Sequence, residues 1–129
     1  MKSELKVFLI DDDSDEAELL ADACRSVSEN ISLFPFIDGP QALKSLFEGN
    51  IPDLIFLDLN MPGMSGKQVL MKLRASDISK ELPVVVYSTT VAKRDIQETK
   101  DFGVTTYLQK PDNFEGLKRS VRDILMRFL

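Results

Sequence analysis

Short apolar runs alternate along the chain with segments in which apolar residues recur every three or four positions. Leu5, Val7, Phe8, Leu9 and Ile10 form the first run, interrupted only by Lys6, and stop at Asp11-Asp12-Asp13. Ala17, Leu20, Ala21, Cys24 and Val27 follow at helical spacing, with Ser14 or Asp15 as the expected N-cap, Glu16 and Glu18 in the positive first turn, and Asn30 at the end. Ile31, Leu33, Phe34 and Phe36 predict a second strand, and Asp38-Gly39-Pro40 a turn. Ala42, Leu43, Leu46 and Phe47 predict a short helix that stops at Gly49. Leu54-Ile55-Phe56-Leu57 is an unbroken apolar run, the pattern of a strand buried on both faces. It ends on Asp58, followed by Asn60-Met61-Pro62-Gly63-Met64-Ser65-Gly66, where proline and glycine exclude both strand and helix.

Val69, Leu70 and Leu73 predict a third helix, and Val84-Val85-Val86-Tyr87 a fourth strand ending on Ser88-Thr89-Thr90. Val91 to Phe102 is charged, with a thin apolar stripe of Val91, Ile96 and Phe102, and is expected to be a loosely held helix ended by Gly103. Thr105 to Leu108 predicts a fifth strand ending at Gln109-Lys110-Pro111. Phe114, Leu117, Val121, Ile124, Leu125 and Phe128 mark a last helix running to the end of the chain. Five strands alternating with five helices predict an α/β fold. Its core would be a five-stranded parallel, doubly wound sheet of order 2-1-3-4-5, the flavodoxin-like arrangement.

That order gives the polar residues after each strand a meaning. In an open parallel sheet, ligands bind beyond the carboxyl ends of the strands, where the strand order reverses. Asp11 and Asp12 stand there after the first strand, Asp58 after the third, Ser88 after the fourth and Lys110 after the fifth. Alone, Asp58 would be a turn cap; loop polarity does not explain three acids, a hydroxyl and a lysine each placed directly after an apolar run. Crowded carboxylates repel one another, burial worsens the cost, and a hard divalent cation relieves it; an all-oxygen set with room for water suits Mg²⁺. A carboxylate is also a nucleophile toward phosphorus. Asp58, on the central strand, is the expected nucleophile, with Asp11, Asp12 and the Asn60 backbone carbonyl as metal ligands. Lys110 and Ser88 are expected to hold phosphoryl oxygens.

Composition narrows the alternatives. A chain of 129 residues has the size of one domain. There is no histidine, which excludes Ser-His-Asp and Cys-His catalysis, His-ligated zinc and a phosphohistidine carrier. The net charge is −5 and the basic residues are scattered, against direct nucleic-acid binding. No apolar run approaches the ~20 residues of a membrane span and the N-terminus carries no secretory pattern, so no membrane partner and a cytoplasmic location are expected. The single cysteine, Cys24, lies on an apolar helical face and is expected to pack in the core.

With these residues in place, the chain resembles the receiver domain of two-component response regulators, in its stand-alone, chemotaxis-regulator-like form. The resemblance rests on Ile10-Asp11-Asp12, Asp58-Leu59-Asn60-Met61-Pro62-Gly63, Val86-Tyr87-Ser88-Thr89 and Tyr107-Leu108-Gln109-Lys110-Pro111. It implies one receiver domain over 1–129 with no output domain, and a signalling module rather than an enzyme. That module would accept a phosphoryl group from a sensor histidine kinase or phosphotransfer protein on Asp58, with Mg²⁺ (Mn²⁺ able to substitute). It makes Asp12 the direct metal ligand and Asp11 one acting mainly through water. Ser88, Thr89 and Lys110 become the phosphoryl-binding set, Ser88 and Tyr107 the switch pair, and the Lys110–Pro111 bond cis. An unknown downstream protein would read the result, and phosphorylation-dependent homodimerisation through the fourth helix, fifth strand and fifth helix is a further expectation. The extra acid after the first strand and Ser88-Thr89-Thr90 resemble small receivers partnered with phytochrome-type kinases.

Asp13 is expected to start a helix rather than bind metal. Asp112 stands where the family often has an aromatic or apolar residue, and Asn60 and Thr90 occupy variable positions that affect phosphate lifetime. An aspartyl-nucleophile phosphohydrolase would want a second acid two residues after the nucleophile, where this chain has Asn60. A nucleotide-binding domain would want glycines, not aspartates, after the first strand. A phosphorylation-independent scaffold is disfavoured by the retained Asp12, Asp58, Ser88 and Lys110.

Overall fold

The structure, a computed structural model, describes residues 4–89 and 91–129; Thr90 lies outside the described residues. The expected topology is present. Strands β1 (Leu5–Ile10), β2 (Ile31–Phe36), β3 (Leu54–Leu57), β4 (Val84–Ser88) and β5 (Thr106–Gln109) form one parallel sheet of order β2-β1-β3-β4-β5. The helices are α1 (Ser14–Val27), α2 (Gly39–Phe47), α3 (Gly66–Arg74), α4 (Lys93–Thr99) and α5 (Phe114–Leu125). No helix among the described residues is long and apolar enough to cross a membrane.

Alternation along the central strands divides the core in two. Val7, Leu9, Leu54, Phe56, Val85 and Tyr87 point to the side covered by α1 and α5, where they meet Leu20, Cys24, Leu117 and Val121. Phe8, Ile10, Ile55, Leu57 and Val84 point to the other side, against Ala42 and Leu46 of α2 and Val69, Leu70 and Leu73 of α3. Both faces of β1 and β3 are thus dry, which fixes their register; a slip of one residue would exchange the two sets. β2 pairs only with β1, and an edge strand tolerates Pro35 in its middle.

Several element ends differ from the sequence pattern. α1 ends at Val27, short of Asn30, and Gly39 and Pro40 of the expected turn form the first turn of α2, capped by Asp38. The N-cap of α1 is Asp13 rather than Ser14 or Asp15: its carboxylate accepts from the backbone N–H of Asp15 at 3.0 Å and of Glu16 at 3.4 Å. The fourth helical segment is α4 followed by a single 3₁₀ turn, Lys100–Phe102, which ends at Gly103 with φ 66°. α5 stops at Leu125, although Phe128 and Leu129 still pack on the α1–α5 side of the core. β5 is Thr106–Gln109, one residue later than the pattern predicts.

Two contacts lock the loops that carry the strand-end residues. A Cβ built on Gly66 would lie 2.3 Å from the carbonyl oxygen of Asp58 and 2.5 Å from Cα of Leu59, so only glycine lets the start of α3 close against the backbone at Asp58. The Gly66 N–H donates to the Leu59 carbonyl at 3.1 Å across the same gap. At the far end of α3, Arg74 donates to the carbonyls of Ser79 (3.1 Å), Leu82 (2.8 Å) and Phe102 (2.6 Å), tying the helix to the approach to β4 and to the 3₁₀ turn before β5.

Cys24 is buried and burial pushes its thiol up to about 12, with the nearby Arg25 charge opposing only weakly. The thiolate fraction at pH 8 is then ~10⁻⁴, against roughly a quarter for an ordinary thiol. Since the folded value lies above the unfolded one, the stability Cys24 confers is complete below about pH 8.5 and is lost as the pH rises toward 12. A disulfide reagent should therefore leave the native protein unmodified at pH 8 over the time in which it titrates one thiol in denaturant. Rapid native modification would contradict this burial.

Candidate functional site

The sheet order brings the ends of β1, β3, β4 and β5 side by side, and four side chains from those ends bond to one another. Lys110, just beyond β5, reaches across the mouth and donates from Nζ to Oδ2 of Asp11 at 2.7 Å. The same ammonium lies 3.9 Å from Oδ2 of Asp58. Ser88, the last residue of β4, donates its hydroxyl to Oδ1 of Asp58 at 2.8 Å and accepts the Leu59 N–H at 3.1 Å. Asp58 Oδ1 also accepts the Asn60 N–H at 3.0 Å, folding the loop back over its own carboxylate. Both Asp58 hydrogen bonds fall on Oδ1; Oδ2 faces the Lys110 ammonium.

Asp11, Asp58 and Ser88 are buried, whereas Asp12 is exposed at the rim. Burial pushes the Asp11 carboxyl up, and the bonds from Lys110 and the Asp13 N–H, with the Lys110 charge, bring it back only in part; the Asp58 charge adds to the rise. For Lys110, burial works against the ammonium, but the hydrogen bond to Asp11 and the charges of Asp11 and Asp58 outweigh it and hold the pKa above the ordinary lysine value. Lys110 therefore stays a cation. Breaking a buried pair of this kind would leave an uncompensated charge.

Asp11, Asp12 and Asp58 can each turn one carboxylate oxygen to within 4.8 Å of the others. Three hard oxygen donors, one of them at the rim, form a set that a small divalent cation can bridge while keeping water ligands. The site fits such an ion on the chemistry of its donors. Asp13 stands outside this set because its carboxylate is committed to the α1 N-cap, which agrees with its expected place at a helix start rather than on a metal.

The remaining sequence candidates are placed as follows. Thr89 is exposed just past β4 and takes no part in the bonds joining Asp11, Asp58, Ser88 and Lys110. The hydroxyls of Tyr107, on β5, and buried Thr99, on α4, are 2.6 Å apart, and Thr99 also donates to the Asp95 carbonyl at 2.6 Å. The expectation of a cis Lys110–Pro111 bond is corrected: the described residues contain no cis peptide. The trans preference of an X–Pro bond is only about 0.5–1 kcal/mol, so local contacts choose the isomer. Here the trans chain already delivers what the turn must, because the Lys110 N–H pairs with the Ser88 carbonyl at 2.8 Å while its side chain reaches Asp11.

Two further side chains carry contacts to which the sequence pattern assigns no role. Tyr87 is fully buried and its ring lies beneath Lys110, with Nζ 5.2 Å from the ring centroid. Its hydroxyl donates to Oε2 of Glu16 on α1 at 3.3 Å. Lys67, at the start of α3, pairs with both Asp95 (2.9 Å) and Glu98 (2.5 Å) of α4. Tyr87 read as one more apolar strand residue, and Lys67 as one more surface charge; neither carried a spacing signal.

Known proteins share this sequence pattern and fold. A family model for the response regulator receiver domain matches residues 7–122. The chain is 35% identical over 124 residues to the chemotaxis protein CheY of Pseudomonas aeruginosa, covering 95% of this chain and 98% of that one. Among solved structures, the phosphorylated cyanobacterial phytochrome response regulator RcpA superposes with a TM-score of 0.85 at 30% identity, over 95% of this chain and 91% of that one. The Mn²⁺-bound form of response regulator Rcp1 gives 0.84 at 27% identity, over 97% and 94%. The strand order, the acid cluster at the strand ends and the family match agree, and this chain belongs to the response regulator receiver domain family.

Proposed function

We propose that this receiver domain takes a phosphoryl group onto Asp58 from a phosphohistidine of a sensor kinase or phosphotransfer protein, with Mg²⁺ bound by Asp11, Asp12, Asp58 and the Asn60 carbonyl. The observation that carries this reading is the Lys110 ammonium held between Asp11 and Asp58 at the mouth of the sheet. Oδ2 of Asp58, the oxygen without a hydrogen bond from Ser88 or Asn60, attacks phosphorus; the new P–O bond forms as the donor's P–N bond breaks, and the imidazole leaves with its electron pair and takes a proton. A divalent cation held by these oxygens would neutralise charge on the carboxylates and the transferring group. Lys110 exchanges Asp11 for a phosphoryl oxygen, and the Ser88 hydroxyl turns from Oδ1 to another. The chemistry stays on the chain's own aspartate, which makes it a signalling module rather than an enzyme acting on a separate substrate. The similarity to RcpA, described as a phytochrome response regulator, supports a kinase of phytochrome type as the donor.

The output follows from how lightly α4 is held. It spans seven residues, and Thr99 is its only buried one. The Lys67 pairs and the Thr99–Tyr107 bond join it to its neighbours. Withdrawal of Ser88 toward the phosphoryl group makes room for Tyr107 to turn inward, and Tyr107 then leaves Thr99 and releases α4. The changed α4–β5–α5 surface is what a downstream protein reads.

Three outcomes are expected. Incubated with acetyl phosphate and Mg²⁺, the protein should gain one phosphoryl group by intact mass and Asp58→Asn none; a wild type that gains none, or a variant that gains it equally, overturns the assignment. Mg²⁺ should raise the unfolding free energy, by ~2.7 kcal/mol at a hundredfold excess over Kd, and Asp12→Ala should remove the effect; equal stabilisation of both proteins would contradict the ligand set. A double-mutant cycle of Thr99→Val with Tyr107→Phe should show a coupling of about 1 kcal/mol in urea unfolding. Additive losses would mean that the two hydroxyls are not partners.

A further inference from the structure

Lysine is a compact cation on a flexible four-carbon stem, and something must aim it. In the unphosphorylated protein Asp11 does so, at 2.7 Å. That restraint would go once Lys110 bonded a phosphoryl oxygen and the Asp11 carboxylate served to hold a divalent cation. The other face of the ammonium is covered by Tyr87. The ring is buried and braced edge-on by Phe56, with centroids 6.0 Å apart and planes at 77°, and its hydroxyl is tied to Glu16 of α1. Lys110 Nζ stands 5.2 Å from the ring centroid, inside the range where a cation is attracted to an aromatic face, and the contact is largely shielded from water. Unlike Asp11, the ring keeps its attraction whatever the charge or ligation state of the carboxylates. Tyr87 also sits one residue before Ser88, so a single stretch of β4 supplies both the hydroxyl and the support beneath the lysine.

We propose that Tyr87 is a positioning residue for phosphoryl transfer: its ring holds the Lys110 ammonium over the Asp58 side of the mouth after Asp11 has let go. This rests on the assignment of Lys110 as the partner of phosphoryl oxygens. The ring does the work and the hydroxyl only braces it, so the proposal separates two substitutions that a general packing role would not. Tyr87→Leu removes the aromatic face, and Tyr87→Met does the same with a side chain that fills irregular space should leucine pack poorly. Tyr87→Phe restores the ring without the hydroxyl.

The test measures phosphorylation by acetyl phosphate with saturating Mg²⁺, by intact mass against time, and the proton shifts of the Lys110 ε-methylene by NMR, assigned from the spectrum of Lys110→Arg. Tyr87→Leu and Tyr87→Met should be slower by about tenfold, with the Mg²⁺ midpoint within about twofold of wild type. Tyr87→Phe should recover the rate to within about threefold. The ε-methylene protons should be shifted upfield by the ring in wild type and Tyr87→Phe, and lose that shift in Tyr87→Leu. Wild-type rates in both Leu and Met variants, a Phe variant as slow as the Leu variant, or an upfield shift that survives in Tyr87→Leu would each overturn the proposal. If Lys110→Ala slows phosphorylation while the Leu and Met variants do not, the role of Lys110 stands and that of Tyr87 falls. If the wild type takes no phosphoryl group at all, both fall together.

Discussion

The bond between Lys110 and Asp11 joins residues 99 positions apart and closes the carboxyl end of the sheet. Two buried acids lie at that end, and burial makes each carboxylate charge costly. The ammonium satisfies one and stands 3.9 Å from the other, and without it the mouth would hold like charges with nothing between them. Every larger feature of the fold serves this meeting. Crossovers on both faces of the sheet make β1 and β3 neighbours, and β4 and β5 complete the row. The two apolar sets on the central strands prevent the register from slipping. Gly66 presses the loop after Asp58 against its own strand end. The result is a cation poised between two carboxylates, in the place a transferring phosphoryl group would claim.

The two sides of the molecule differ in how firmly they are built. α1 and α5 share a continuous core with five buried strand residues of β1 and β3 beneath them, and α5 presents a buried face of Leu117, Val121, Ile124 and Leu125. α4 has no such face and depends on ion pairs to Lys67 and on the hydroxyl contact with Tyr107. Exposed and half-buried ion pairs contribute little, typically below about 1 kcal/mol each. A segment held in this way can move without disturbing the core, which is the property a switch surface needs. Arg74 limits how far the motion can spread, because it fixes the carbonyls of the 3₁₀ turn to the end of α3.

Much of this is legible in the residues. Unbroken apolar runs at Leu54–Leu57 and Val84–Tyr87 announce strands covered on both faces, and the residue that follows each run is a polar group of the site. The same logic places Asp11, Ser88 and Lys110 without any tertiary information. What periodicity hides is the partner of each polar atom. Asp13, Ser14 and Asp15 are chemically equivalent caps, and only the backbone turn after β1 selects Asp13. Tyr87 looks like a fourth apolar residue in a β-branched run, because a sequence does not show that its ring faces a lysine 23 positions away. The Lys110–Pro111 isomer is decided by less than about 1 kcal/mol, below what residue type alone can fix.

Transfer of a phosphoryl group to Asp58, with Lys110 as its partner, is tested most directly by a crystal structure with Mg²⁺ and fluoroberyllate, a mimic of the aspartyl phosphate. Beryllium is expected on an Asp58 oxygen, with Lys110 Nζ moved from Asp11 onto a fluoride while still over the Tyr87 ring, and the Ser88 hydroxyl turned to a second fluoride. Density on Asp58 with Lys110 still bonded to Asp11, or no density on Asp58 at saturating fluoroberyllate, would contradict it.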